Sequence, residues 1–98
     1  MLIGTTPTHR FNIPFDASLI DEARVIYRQM GREVLRKETE AFKKEGNVLS
    51  VSLSQEETFL FDATDVTYQL RVKTLDGKVL NTKPKTIPVI ECLDREVL

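Results

Sequence analysis

The chain has 98 residues, 41% hydrophobic and 30% charged, which suits one small domain with an apolar core and excludes a disordered segment. Its 14 basic and 15 acidic residues nearly cancel and are interleaved, which argues against a nucleic-acid partner, whose binding face would carry a basic excess. A lone cysteine, Cys92, excludes an internal disulfide, and no apolar window is long enough for membrane insertion.

The N-terminal M-L-I-G-T-T-P-T-H-R lacks the charged start and long apolar core of a signal peptide, so the expectation is a chain that stays cytoplasmic until it is assembled into something larger. Phe11, Ile13 and Phe15 then alternate with Arg10, Asn12 and Pro14, which reads as a strand near a sheet edge. Residues 21–42 admit two readings. Ser18 could cap a helix whose stripe runs through Leu19, Ile20, Ala23, Ile26, Tyr27, Met30 and Val34. Equally, Ala23, Val25 and Tyr27 alternate as in a strand, and Gly31 stands where a hairpin turn needs it. Periodicity alone leaves the two nearly even, with the second arm leaning helical.

The second half is clearer. Leu49, Val51 and Leu53 share one face of a strand over 48–54. Ser54 followed by Glu57 is a capping-box pattern, so one helical turn is expected near 54–61, with Phe59 or Leu60 plugging the core. Val66, Tyr68, Leu70 and Val72 give the strongest strand signal in the chain. It runs into Asp76-Gly77, which predicts a type I′ hairpin back through Val79 and Leu80. A last strand over 86–92 follows the Lys83-Pro84 break, confined to an edge by Pro84 and Pro88.

Chemistry is harder to find. Cys92 and His9 lie far apart in sequence, and the bland assignment is a small buried thiol and an exposed imidazole. The carboxylate pairs Asp21-Glu22, Glu56-Glu57 and Asp62/Asp65 are adjacent or loop-borne, unlike the separated pair of an acid/base enzyme. One His and one Cys cannot build a zinc site, and Asp62-Ala63-Thr64-Asp65 does not supply a calcium loop. The reading is therefore non-enzymatic, with no cofactor and no catalytic, metal or binding residue to name. A small carbohydrate- or ligand-binding sandwich is the alternative, although only Tyr27 and Tyr68 could serve it as non-Phe aromatic platforms.

Three segments carry a resemblance: G-T-T-P-T-H-R-F-N-I-P-F-D at 4–16, L-S-Q-E-E-T at 53–58 with Phe61, and the C-terminal C-L-D-R-E-V-L. The chain resembles a family of small proteins from prophage tail regions of Gram-positive bacteria. More distantly it is similar to the N-terminal β-sandwich domain of phage upper-baseplate proteins. The resemblance implies an all-β fold, an immunoglobulin-like sandwich of about seven antiparallel strands, with 21–42 forming two strands joined near Gly31. The open alternative is an α+β fold with helices within 19–45 on an antiparallel sheet. The resemblance also implies a structural module of a phage-like tail or baseplate. Its partners would be other tail or baseplate proteins, and a homo-oligomer is a possible state. The chain lacks the long linker and receptor module of the larger baseplate proteins. In sandwiches of this type a Tyr opening the penultimate strand can bond back to the preceding corner, and Tyr68 occupies that place, although an ordinary inward aromatic is the simpler assignment.

Overall fold

The computed structural model describes residues 1–98 and resolves the ambiguity at 21–42 in favour of strands. The element order is β1 (Thr8–Asn12), β2 (Ile20–Gln29), β3 (Arg32–Lys37), β4 (Phe42–Glu45), β5 (Val48–Ser52), α1 (Gln55–Thr58), β6 (Val66–Thr74), β7 (Val79–Asn81) and β8 (Lys85–Ile87). Single 3-10 turns at Ala17–Leu19 and Thr39–Ala41 replace the helices of the alternative reading. The first is capped by Asp16, whose side chain accepts from the Ser18 N–H, so Ser18 is not itself the cap. No helix is long and apolar enough to cross a membrane.

Two antiparallel sheets form, one in the order β1-β5-β4 and one in the order β3-β2-β6-β7, with β8 also on β6. This is the B-E-D and C′-C-F-G arrangement of an immunoglobulin-type sandwich. Residues 1–3 add a parallel bridge, Leu2 to Ile90, with the Ile3 N–H donating to the Ile90 carbonyl at 3.0 Å. The sheets bury their facing sides together. Val25, Tyr27, Val66 and Tyr68 meet Val51 and Leu53 near one end, with Ile3, Phe61 and Val89. Ala23, Leu70 and Val72 meet Leu49 near the other, with Ile13, Ala17 and Ile20. Burying these residues supplies the main driving force, at roughly 25 cal/mol per Å² of apolar surface.

The details depart from expectation in instructive ways. The type I′ turn lies at Met30-Gly31, where φ is 50° and 75°, not at Asp76-Gly77, where only Gly77 is positive. At the latter, the Gly77 N–H donates to the Thr74 carbonyl and the Thr74 hydroxyl accepts from the Lys78 N–H while binding Asp76. That network closes a three-residue loop with Gly77 in the left-handed position. Phe61 is the fully buried plug of this segment, Phe59 packs half-buried against the same core, and Leu60 points to solvent. The capping box forms as expected, but its helix is one turn long. The last strand stops at Ile87, because Pro88 cannot continue the ladder. An eighth strand, β4, was not anticipated from its sequence.

Met30 is the one non-glycine residue with positive φ, a conformation its side chain disfavours. Met30→Asn creates the Asn-Gly pair that type I′ turns favour, and is expected to stabilise the domain by about 0.5–1 kcal/mol. Thermal unfolding checks this; an unchanged or lowered midpoint would contradict the turn assignment.

Candidate interaction surfaces

Three places combine unusual residues with unusual exposure. The first is interior. His9 leans from β1 across the sandwich, and its Nδ1 lies 2.6 Å from the Tyr27 hydroxyl. Its ring stacks on Tyr68 with centroids 5.2 Å apart, and Tyr68 stacks in turn on Tyr27 at 5.4 Å. The imidazole is thus a half-buried strut rather than the exposed group expected from sequence. Tyr68 is the ordinary inward aromatic: it makes no hydrogen bond back to a corner. With both tyrosines interior, neither offers an aromatic platform to a sugar.

Burial, then the N-terminal ammonium and Lys85, push the His9 pKa below its ordinary value of 6.5. A lowered folded pKa means the unfolded chain takes up the proton first. The neutral strut therefore stabilises the fold above about pH 6.5, and this contribution is lost as pH falls through the folded pKa. His9→Gln is expected to lower stability at neutral pH and to flatten the dependence just below pH 6.5. Denaturant titrations across that range check it; an identical slope in both proteins would contradict it.

The acidic pairs do not gather into a cluster of three or more. Glu57 is structural: it accepts the Ser54 N–H at 2.9 Å and takes the Lys37 ammonium at 2.9 and 2.7 Å on its two oxygens. Burial alone would raise its pKa, but Lys37 and Ser54 outweigh that and hold it below the ordinary value. Lys37 sits on the edge strand β3 and points inward, a device that discourages edge pairing. No group of three or more His, Cys, Asp or Glu side chains is assembled. Cys92 is half-buried, and the His9 ring bonds Tyr27 instead of the thiol. It lies beside Gly4, where an added Cβ would stand 3.3 Å from the thiol sulfur.

The second surface is apolar and lies at the β6–β7 hairpin. The Leu75 N–H donates to the Leu19 carbonyl at 2.9 Å, which joins the hairpin to the segment before β2. Leu80 faces inward opposite Val72 but stands at the open side of the sandwich. Phe15, Leu19, Leu75 and Leu80 therefore line one groove of about 360 Å³. A smaller hollow of about 130 Å³ adjoins it and shares Phe15 and Leu80. Leu75 is 67% exposed, so the groove is uncovered. Its rim carries Lys78, loosely paired with Asp76 at 3.9 Å.

The third surface lies at the other end of β2 and β6, where Gln29 bonds the Asp62–Thr64 loop and Leu2 bridges Ile90. Leu2, Leu60, Ile90, Leu93, Val97 and Leu98 are all exposed there, Leu93 and Leu98 almost completely. The C-terminal segment is held by its backbone and by Arg95, not by its apolar side chains. Leu98 exchanges hydrogen bonds with the Gln55 side chain, at 2.8 Å from the Leu98 N–H. Arg95 lies over the Phe59 ring at 5.3 Å and pairs with Glu91 at 2.8 Å.

The edge expected near Pro84–Pro88 is present but short and partly shielded: the Met1 ammonium donates to the Pro88 carbonyl at 2.7 Å, and the Ile90 N–H to the Met1 carbonyl at 2.8 Å. On the outer face of the larger sheet, Arg24 stands directly opposite Arg71. Arg24 bonds both Glu38 oxygens at 3.1 Å, and Arg71 bonds Asn81 at 2.9 Å. Exposed pairs of this kind contribute about 0.5 kcal/mol each, so this face reads as solvated charge.

Sequence reasoning named no site residues, and neither apolar surface has a local signature. Comparison with known proteins adds no relative: no family model, curated protein or solved structure matches the chain.

Proposed function

We propose that the chain is a non-enzymatic structural and interaction module of a phage-like tail or baseplate, acting through protein–protein contacts. The observation that carries the interaction part is the pair of uncovered apolar surfaces at opposite ends of one sandwich. Large exposed apolar patches mark places where another protein binds. The tail assignment draws on the resemblance of segments 4–16, 53–58 and 92–98 to prophage tail-region proteins. An immunoglobulin-type sandwich suits the role, since it presents loops and edges from a rigid body. Its partners are other tail or baseplate proteins.

The test is direct binding. The purified chain is titrated against the individual tail and baseplate proteins of its parent particle on a biosensor, with a glycan array run in parallel. Saturable binding to at least one tail protein is expected. Glycan binding with no tail-protein binding would overturn the proposal in favour of a carbohydrate-binding module.

A further inference from the structure

One end of the small sheet is β1, which has β5 as its one neighbour. The Leu53 N–H donates to the Pro7 carbonyl and the Ile13 N–H to the Asn47 carbonyl, both at 2.9 Å, so the odd-numbered residues of this strand face β5. By the alternation of an antiparallel ladder, Thr8, Arg10 and Asn12 turn their N–H and C=O groups outward, toward no strand. The other sheet edges are each defended. Lys37 points inward from β3, and Lys44 does so from β4, where its ammonium bonds the Ile20 carbonyl at 2.9 Å. β7 and β8 have three residues each, and β8 lies between Pro84 and Pro88. Over its five residues β1 has no proline, no lysine and no bulge, and such an edge is a template for another strand.

The side of the sandwich beside this edge is open. An immunoglobulin-type sheet of the A-B-E-D kind carries a further strand outside B, and here the sheet stops at B. The hollow of about 130 Å³ lies there, walled by Asn12, Ile13 and Phe15 after β1 and by Leu70, Leu80 and Thr82 of the larger sheet. It has room for one aliphatic side chain. Two cations on this side make no ion pair. Arg10 lies on the outer face, where Glu45 is already bonded to Lys43 at 2.7 Å. Lys85 lies on β8 opposite Tyr68, near enough to His9 to lower its pKa, and so at the end away from the hollow.

We propose that the chain accepts a β-strand from another protein along β1. The incoming strand bonds the backbone of Thr8, Arg10 and Asn12, sets an aliphatic side chain in the hollow and presents an acid to Arg10. This is strand addition, in which main-chain hydrogen bonds hold the partner and pockets select its alternate side chains. It names the kind of partner for the contact module proposed above, and rests on that reading. A second copy of the chain fits the edge less well. Pairing β1 with β1 would bring Arg10 alongside its own copy, and like charges oppose an interface. It would also leave the hollow open, because His9 and Phe11 of the incoming strand are held in their own core.

Amide NMR on the full chain tests it with short synthetic peptides as probes: end-capped Thr-Leu-Glu-Leu-Thr-Val, and the same peptide with lysine for glutamate. The glutamate peptide is expected to slow exchange at the Thr8, Arg10 and Asn12 amides about tenfold at saturation. It is expected to bind roughly threefold more tightly than the lysine peptide. Arg10→Pro removes an outward N–H and no bond to β5, and is expected to abolish binding. Arg10→Glu keeps the edge and is expected to prefer the lysine peptide. Position 10 is exposed, and circular dichroism checks that both variants keep the wild-type spectrum. Absence of protection at the three amides would overturn the proposal, as would equal binding by Arg10→Pro. Protection that rises with the chain's own concentration, without peptide, would overturn it in favour of a β1–β1 dimer. The biosensor separates this from the tail assignment: tail-protein binding that Arg10→Pro leaves unchanged would keep the module and discard the β1 edge as its contact.

Discussion

Replacing Tyr27 with alanine is expected to cost about 4 kcal/mol, the largest single loss available in this domain. Tyr27 is fully buried on the inward face of β2. It packs against Phe61 edge-on with centroids 5.8 Å apart, against Tyr68 in a stack, and against His9 through its hydroxyl. Truncation leaves a cavity between sheets that cannot close on it, because β2 is fixed by β3 on one side and β6 on the other. A domain of this size holds only about 5–15 kcal/mol in total, so the melting midpoint should fall by roughly 15–30 °C. Tyr27→Phe separates the two parts of the effect. It keeps the ring and removes only the bond to His9, and should cost about 1 kcal/mol. Urea unfolding of both variants measures the split. Equal losses in the two would show that the hydrogen bond, not the packing, carries the position.

The second large effect is expected at Gln29, the buried polar residue at the end of β2. Its amide nitrogen donates to the Asp62 and Thr64 carbonyls at 2.9 and 3.0 Å, and its oxygen accepts the Asp62 N–H at 2.9 Å. These three bonds pin the loop that leads from Phe61 into β6. Gln29→Leu keeps most of the volume but strands all three backbone groups, at an expected cost of about 2–4 kcal/mol. Hydrogen exchange should show faster exchange at the Asp62 amide, while the 48–52 amides keep their order of protection. Unchanged exchange at Asp62 would mean that water replaces the glutamine without loss.

Gln29 also shows why parts of the fold escape a reading of the sequence. The inward face of β2 runs Ala23, Val25, Tyr27, Gln29, and a polar residue at its end reads as a loop. Outward-facing Ile26 and exposed Met30 complete a helical stripe with Ile20, Ala23 and Tyr27, so both periods fit the same residues. What decides between them is pairing, with β6 on one side and β3 on the other, and pairing is non-local. β4 was invisible for a different reason: Phe-Lys-Lys-Glu is too short and too charged to show alternation, and it forms because the Gly46-Asn47 turn folds it onto β5. Where local chemistry suffices, the sequence was enough. The Ser54–Glu57 capping box and the alternation of β5 and β6 are present as read. The interaction surfaces belong to the non-local class. Phe15 and Leu19 meet Leu75 and Leu80 only after the sandwich closes, and the strut from His9 to Tyr27 crosses from one sheet to the other.

The proposed role in a phage-like tail is tested most directly on particles. The source cells are treated to induce any phage-like particles, which are purified on a density gradient and quantified by mass spectrometry against a tail protein of the same particle. The chain is expected to co-sediment with intact particles at a fixed ratio to that protein and to be lost from tail-less heads. If it remains in the soluble fraction while the tail proteins sediment, it is not a part of the tail.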